Sequence, residues 1–189
     1  DVYKRQALDL VGFGIVAPIL GRYAKDFGAN GLEVGLMFAS FSVAQMIFSP
    51  ILGRISDHIG RKPVIIISLI GTAIGSFITG IGGAMWVLFV GRVIDGASGA
   101  SVSVAQGAIT DIAPPEQRAQ LLGMLGAAFG IGFVVGPALG GLAALGGTHV
   151  PFFLAGTIAA VNASGGTYVA YLFASNAGGF GTAGTDNVI

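Results

Sequence analysis

The sequence predicts an all-α membrane protein: a bundle of six apolar helices joined by short polar links. Three observations carry that prediction. The chain of 189 residues is 53% hydrophobic and only 10% charged, with a mean hydropathy of +0.83. A soluble domain keeps about 25% charged residues, because its surface must stay wet. The charges are also segregated, for residues 34–52 and 63–91 hold none. Finally, 33 glycines suit the close approach of helix backbones in lipid, where small side chains decide the contact.

A helix needs about 20 residues to cross roughly 30 Å of hydrocarbon. Six segments qualify: 7–23, 33–52, 63–82, 85–107, 119–143 and 150–174. The first holds Asp9 and closes at Arg22 and Lys25, while the second and third are bounded by the charges around residues 54–62. The fourth holds Arg92 and Asp95, the fifth follows Arg118, and Asn162–Thr167 interrupts the sixth. Six such helices in succession, with short links, need lipid to cover them. Asp1–Gln6 reads as an adapter-derived leader, and 175–189, rich in Gly, Ala and Thr, as a flexible or misassembled tail.

Basic residues in short loops set orientation. Arg54, Arg61 and Lys62 lie between the second and third segments, and Arg118 between the fourth and fifth. Arg22 and Lys25 are their only opponents in the short links on the other side. The bias places the N-terminus in the cytoplasm. Zero net charge offers no basic field for nucleic acid. No cysteine is present, and His58 and His149 stand apart, so neither a metal site nor a cofactor is expected. Without a Ser–His pairing or a phosphate loop, an enzyme is not expected either.

The densest motif is Gly53-Arg54-Ile55-Ser56-Asp57-His58-Ile59-Gly60-Arg61-Lys62-Pro63. Gly53 and Gly60 permit tight turns, and Pro63 fits the first turn of a helix. Asp57, Arg61 and Lys62 form a charge cluster at the membrane face, either a plain solvated turn or a gate. Asp111 and Arg118 fall at the same face and are its expected partners. Within the spans, Arg92 and Asp95 are three apart and share a helix face, so they can pair. A charge at membrane depth is costly and marks a functional site by default; the plain reading is a self-neutralising pair that lets the helix insert. Asp9 is either an interfacial aspartate or a pathway carboxylate able to exchange protons near neutral pH. In the fifth segment Gly123, Gly132, Gly136, Pro137, Gly140 and Gly141 make a smooth face for a neighbouring helix. Gln106 is a further polar residue expected to line a pathway.

The G-x3-D-x2-G-R-K-P spacing between two apolar spans resembles the signature between helices two and three of the major facilitator superfamily. Arg92 and Gly96 resemble its R-x3-G motif, and Asp9–Pro18 the first helix of its drug-efflux members. The fifth segment is similar to the g-x8-G-x3-G-P-x2-G-G motif of its antiporters. The resemblance covers residues 7–162 and is closest to bacterial drug/proton antiporters of the tetracycline-efflux kind. It implies the N-terminal six-helix half of a twelve-helix fold, with a missing C-terminal six-helix half as partner. It further implies a proton-coupled efflux antiporter for drugs or small amphipathic molecules in the bacterial inner membrane. Asp9, Arg92 and Asp95 would then couple protons, while Gly53, Asp57, Gly60, Arg61, Lys62, Asp111 and Arg118 would form the cytoplasmic gate. Tetracycline exporters tend to carry an acidic residue midway along span three, where this chain reads Ala73-Ile74-Gly75-Ser76; a broader substrate range is expected. The alternatives are a proton-coupled importer of sugars or metabolites and a non-transporting six-helix scaffold.

Overall fold

The computed structural model describes residues 2–99, 101–112 and 114–175, with side chains placed for 8–99, 102–111 and 114–164. The tail expected at 175–189 lies outside them, Ser175 apart. Seven α-helices follow in order: α1 Val2–Asp26, α2 Gly31–Ile59, α3 Arg61–Ile81, α4 Met85–Ser98, α5 Ser101–Ile112, α6 Pro115–Ala143 and α7 Val150–Ser175. A 3-10 turn, Ala144–Gly146, links α6 to α7. Helices α4 and α5 together make one span, Met85–Asp111, so the seven described helices group into six segments. Among the described residues α2, α3, the α4–α5 span and α6 are long and apolar enough to cross a membrane, and Val150–Ser164 is a shorter apolar helix. Helix α1 is long enough at 25 residues but carries Lys4, Arg5, Asp9, Arg22, Lys25 and Asp26.

Local chemistry sets the helix ends. Asn30 caps α2 through a reciprocal box: Glu33 N donates to Asn30 Oδ1 at 3.0 Å, and Asn30 N donates to Glu33 Oε2 at 2.8 Å. Two otherwise orphaned amides are thereby satisfied. Pro114 and Pro115 open α6, where the missing N–H of Pro115 costs nothing.

Two features differ from the sequence expectation. The connection after the second span is not an extended turn, because α2 stays helical through Gly53–Ile59 and only Gly60 breaks it. Gly60 has φ +98°, a conformation that a side chain would strain. Ser56 Oγ donates to the Gly53 carbonyl at 2.6 Å, and the Asp57–Arg61 pair joins the two helix ends at i, i+4. At the end of α4, Gly99 N donates to Gly96 O at 3.0 Å, the i→i−3 pattern that tightens a last helical turn; the fourth span as a whole runs Met85–Asp111. Helix α7, by contrast, runs unbroken through Asn162–Thr167. Asn162 is buried, and a continuous helix keeps the backbone satisfied where lipid offers no partner.

Helix α1 threads the bundle between α6 and α7. Its buried face, Ile15, Val16, Leu20 and Tyr23, joins Met37, Leu88 and Phe152 in the main apolar core. The α1–α6 contact is backbone on backbone. A Cβ at Gly132 would lie 2.7 Å from Leu10 Cβ, one at Gly136 2.6 Å from Gly14 Cα, and one at Gly140 2.7 Å from the Ile15 carbonyl. These three glycines recur every fourth residue and form one face. Gly123 and Gly141 meet nothing within 4 Å, so the glycine motif splits into a packed face and an open one. A second tight seam joins α3 to α4, where a Cβ at Gly75 would lie 2.8 Å from the Gly91 carbonyl.

Candidate functional site

Every span contributes to one central cavity of about 160 Å³. Helix α1 supplies Asp9, Gly12, Phe13 and Val16, α2 supplies Phe41 and Gln45, and α3 supplies Thr72 and Ser76. Asp95 and Gly99 come from the α4 end, Phe129 from α6, and Ala155 and Ala159 from α7. The residues recur at i, i+4 on most of these helices, the spacing that keeps a helix face turned one way. Phe13 stands at the middle of an aromatic wall, with ring centroids 5.6 Å from Phe41 and 5.9 Å from Phe133. The cavity is therefore mostly apolar, with a few convergent polar groups, the usual make-up of a small-molecule site.

Asp95 is the most buried acidic group of that lining. Arg92 Nη1 sits 2.9 Å from its Oδ2, and the two side chains are 3% and 10% exposed. Thr72 of α3 lines the same cavity as this carboxylate. Arg92 does not line the cavity, and its Nε and Nη2 meet no acceptor among the described residues. Asp95 is thus held by Arg92, which spends one of its donors on it. Gly75 explains how the pair fits. Its missing side chain lets α4 approach until a Cβ there would be 2.9 Å from Asp95 N.

A second charge cluster lies where α2 meets α3. Arg61 Nη2 is 2.7 Å from Asp57 Oδ1 and 2.9 Å from Asp111 Oδ2. Its Nε donates to the same Asp111 oxygen at 3.1 Å, and Nη1 donates to Ser56 Oγ at 2.8 Å. All three guanidinium nitrogens are used, and the cluster ties α2 and α3 to the end of α5. Gly107 makes room for it, since a Cβ there would lie 2.9 Å from Arg61 Nη1.

The sequence-selected residues therefore fall into two groups. Asp9 and Asp95, separated by 86 positions (95 − 9), meet at one cavity, with Arg92 behind it. Asp57, Arg61 and Asp111 meet in the clasp, while Lys62 and Arg118 each engage other groups. Gly53 lies within α2 with open space around it, and Gln106 is exposed on α5, away from the cavity. Pro137 is exposed beside the packed glycine face of α6. Gln45, Thr72 and Ser76 were not selected from the sequence. The signal was present, for Gln45 is a lone amide in a charge-free span and Thr72 and Ser76 share a helix face at i, i+4.

A helical bundle of apolar spans with ionisable groups around a cavity defines a membrane-embedded helical protein. The model of the Major Facilitator Superfamily matches residues 6–180, and the chain belongs to that family. It is 40% identical over 154 residues to the class E tetracycline resistance protein of Escherichia coli, covering 80% of this chain and 38% of that protein. It is 38% identical over 158 residues to the quinolone resistance protein NorA of Staphylococcus aureus, covering 83% and 41%. The chain thus spans about two fifths of the length of the curated relatives it matches. Among solved structures, the human organic anion transporter MFSD10 superposes with a TM-score of 0.74 at 24% identity, over 91% of this chain and 46% of that one. That likeness shows the fold: a six-helix half of the superfamily's architecture in a multi-pass membrane protein.

Proposed function

We propose that this chain is the N-terminal half of a proton-coupled efflux antiporter for drugs or small amphipathic molecules. It would work by alternating access, the two halves rocking about a site near the membrane midplane. The observation that carries the reading is the convergence of Asp9 and Asp95 on one aromatic-walled cavity. Carboxylates at membrane depth can hold either a proton or a cationic group of a substrate, and exchange needs that competition. Arg92 holds Asp95 in place and offsets its charge. The printed names of the relatives, tetracycline and quinolone resistance proteins, support export as the direction, as does the α6 glycine motif.

In this reading the protein sits in a bacterial inner membrane with its N-terminus and the Arg61 clasp on the cytoplasmic side. The clasp is the gate within this half: Asp57 and Asp111 hold Arg61, with Gly60 giving the sharp entry into α3. Lys62 and Arg118 add positive charge at the same surface. The packed glycines of α6 keep α1, with its Asp9, at fixed depth. Gln106, exposed on α5, faces outward from this half and is a lining residue on the side where a second six-helix half would dock. The partners are the bilayer, protons, a small-molecule substrate and that second half; no cofactor or catalysed reaction is part of the mechanism.

The test is Asp9→Asn in the transporter built on this half, assayed in everted vesicles. Drug addition should release protons from vesicles carrying the parent, and the variant should lose that release while still inserting and folding. Unchanged proton release in Asp9→Asn removes Asp9 from the mechanism.

A further inference from the structure

Gln45 lines the cavity, and its side chain bridges to the backbone of another span. Its Nε2 donates to the Gly99 carbonyl at 2.9 Å. Gly99 caps the C-terminal end of α4, within the span Met85–Asp111. The fit is close on both sides. A Cβ at Gly99 would lie 2.8 Å from Gln45 Nε2, and one at Gly96 would collide with the Phe41 carbonyl one turn away on α2. Phe41 and Gln45 thus rest against Gly96 and Gly99 as one stripe.

At its other end α5 carries Gly107 and Asp111, the two residues that receive Arg61. The span Met85–Asp111 is therefore held at two points, by Gln45 at the cavity and by Arg61 at the clasp. We propose that Gln45 is a positioning residue that couples the two. Its amide fixes the C-terminal end of α4 at Gly99, so the Asp111–Arg61 contact, further along the same span, forms only when the strap to Gly99 is made. Both Gln45 and Gly99 line the cavity, so an occupant that takes the amide hydrogen releases α5 and loosens the clasp. That last consequence rests on the transport reading; the coupling itself does not.

The coupling is measurable on this chain in lipid vesicles without any substrate. The sequence has no cysteine, so Ala108→Cys, at a buried position on α5, gives a single maleimide-labelling site. Labelling rates are compared in four backgrounds: parent, Gln45→Met, Asp111→Asn and the double variant. Gln45→Met keeps the side-chain length and removes the donor. Each single change should raise labelling by roughly three- to tenfold, and the double should exceed the larger single by less than about twofold, the non-additivity of two supports holding one element. Independent local roles predict that the two increases multiply, and that result overturns the proposal. No effect of Gln45→Met on Ala108→Cys also overturns it. If Gln45→Met does not insert, Gln45→Leu repeats the comparison, and Gln45→His, which can still donate from its ring, should return the rate towards the parent.

Discussion

Arg61 and Arg92 use the same chemistry in opposite surroundings. Arg61 is 26% exposed and bonded through all three nitrogens to Asp57, Asp111 and Ser56. Arg92 is 3% exposed and makes its ion pair through Nη1, leaving Nε and Nη2 without acceptors among the described residues. The exposed cluster is fully satisfied yet weak, because water competes for every partner. The buried pair is under-satisfied yet difficult to separate, because nothing nearby replaces a lost partner. In the proposed function, a clasp that has to open fits the first setting, and a charge held until a proton or a substrate alters it fits the second.

Breaking the buried pair gives the largest expected effect. Asp95→Leu leaves the Arg92 charge unpaired and should destabilise the bundle by about 3–5 kcal/mol, read from thermal unfolding in detergent. Adding Arg92→Met should recover most of that loss, since an apolar pair of similar volume is often no worse than the ions it replaces. If the double variant is as unstable as the single, the pair contributes more than mutual neutralisation.

The glycines sharpen the contrast between a packed interior and an open end. Gly136→Val forces a side chain into the Gly14 backbone and should cost about 1–3 kcal/mol or more by overpacking. Gly141→Ala, a glycine within α6 with nothing within 4 Å, should instead stabilise by up to about 0.5–1 kcal/mol in the same unfolding assay.

The smallest effects belong to the clasp. Asp57→Asn should cost no more than about 1 kcal/mol, because Asp57 is 56% exposed and Arg61 keeps Asp111 and Ser56. Gly53→Ala should stabilise α2 by roughly 0.5–1 kcal/mol, since Gly53 is a helix-interior glycine in open space. A clear loss of stability in Gly53→Ala would show that this position needs its glycine.

The spans were legible because lipid removes the alternatives: a stretch without charges, long enough to cross, can only be a helix. Asp9, Arg92 and Asp95 were legible because ionisable groups are rare at that depth. Arg61 and Asp111 were placed at one face by the short loops, though the bond between them joins residues 50 apart. The rest depended on how each helix is rotated about its axis. Gln45, Thr72 and Ser76 are ordinary polar residues until α2 and α3 turn them into the cavity. Likewise, g-x8-G-x3-G-P-x2-G-G reads as one motif, yet only Gly132, Gly136 and Gly140 touch α1. Gly53 reads as a turn residue, and the hydrogen bonds of Ser56 and the Asp57–Arg61 pair accompany a helix that runs past it.

The most direct test of the central claim is proton movement in the Asp95→Asn variant. Drug-dependent proton release is followed in everted vesicles beside the parent and Asp57→Asn. The account predicts that Asp95→Asn binds drug but releases no protons, while Asp57→Asn still releases them at a slower rate. Full proton release from Asp95→Asn would contradict it, leaving the buried pair as a device for inserting α4 and nothing more.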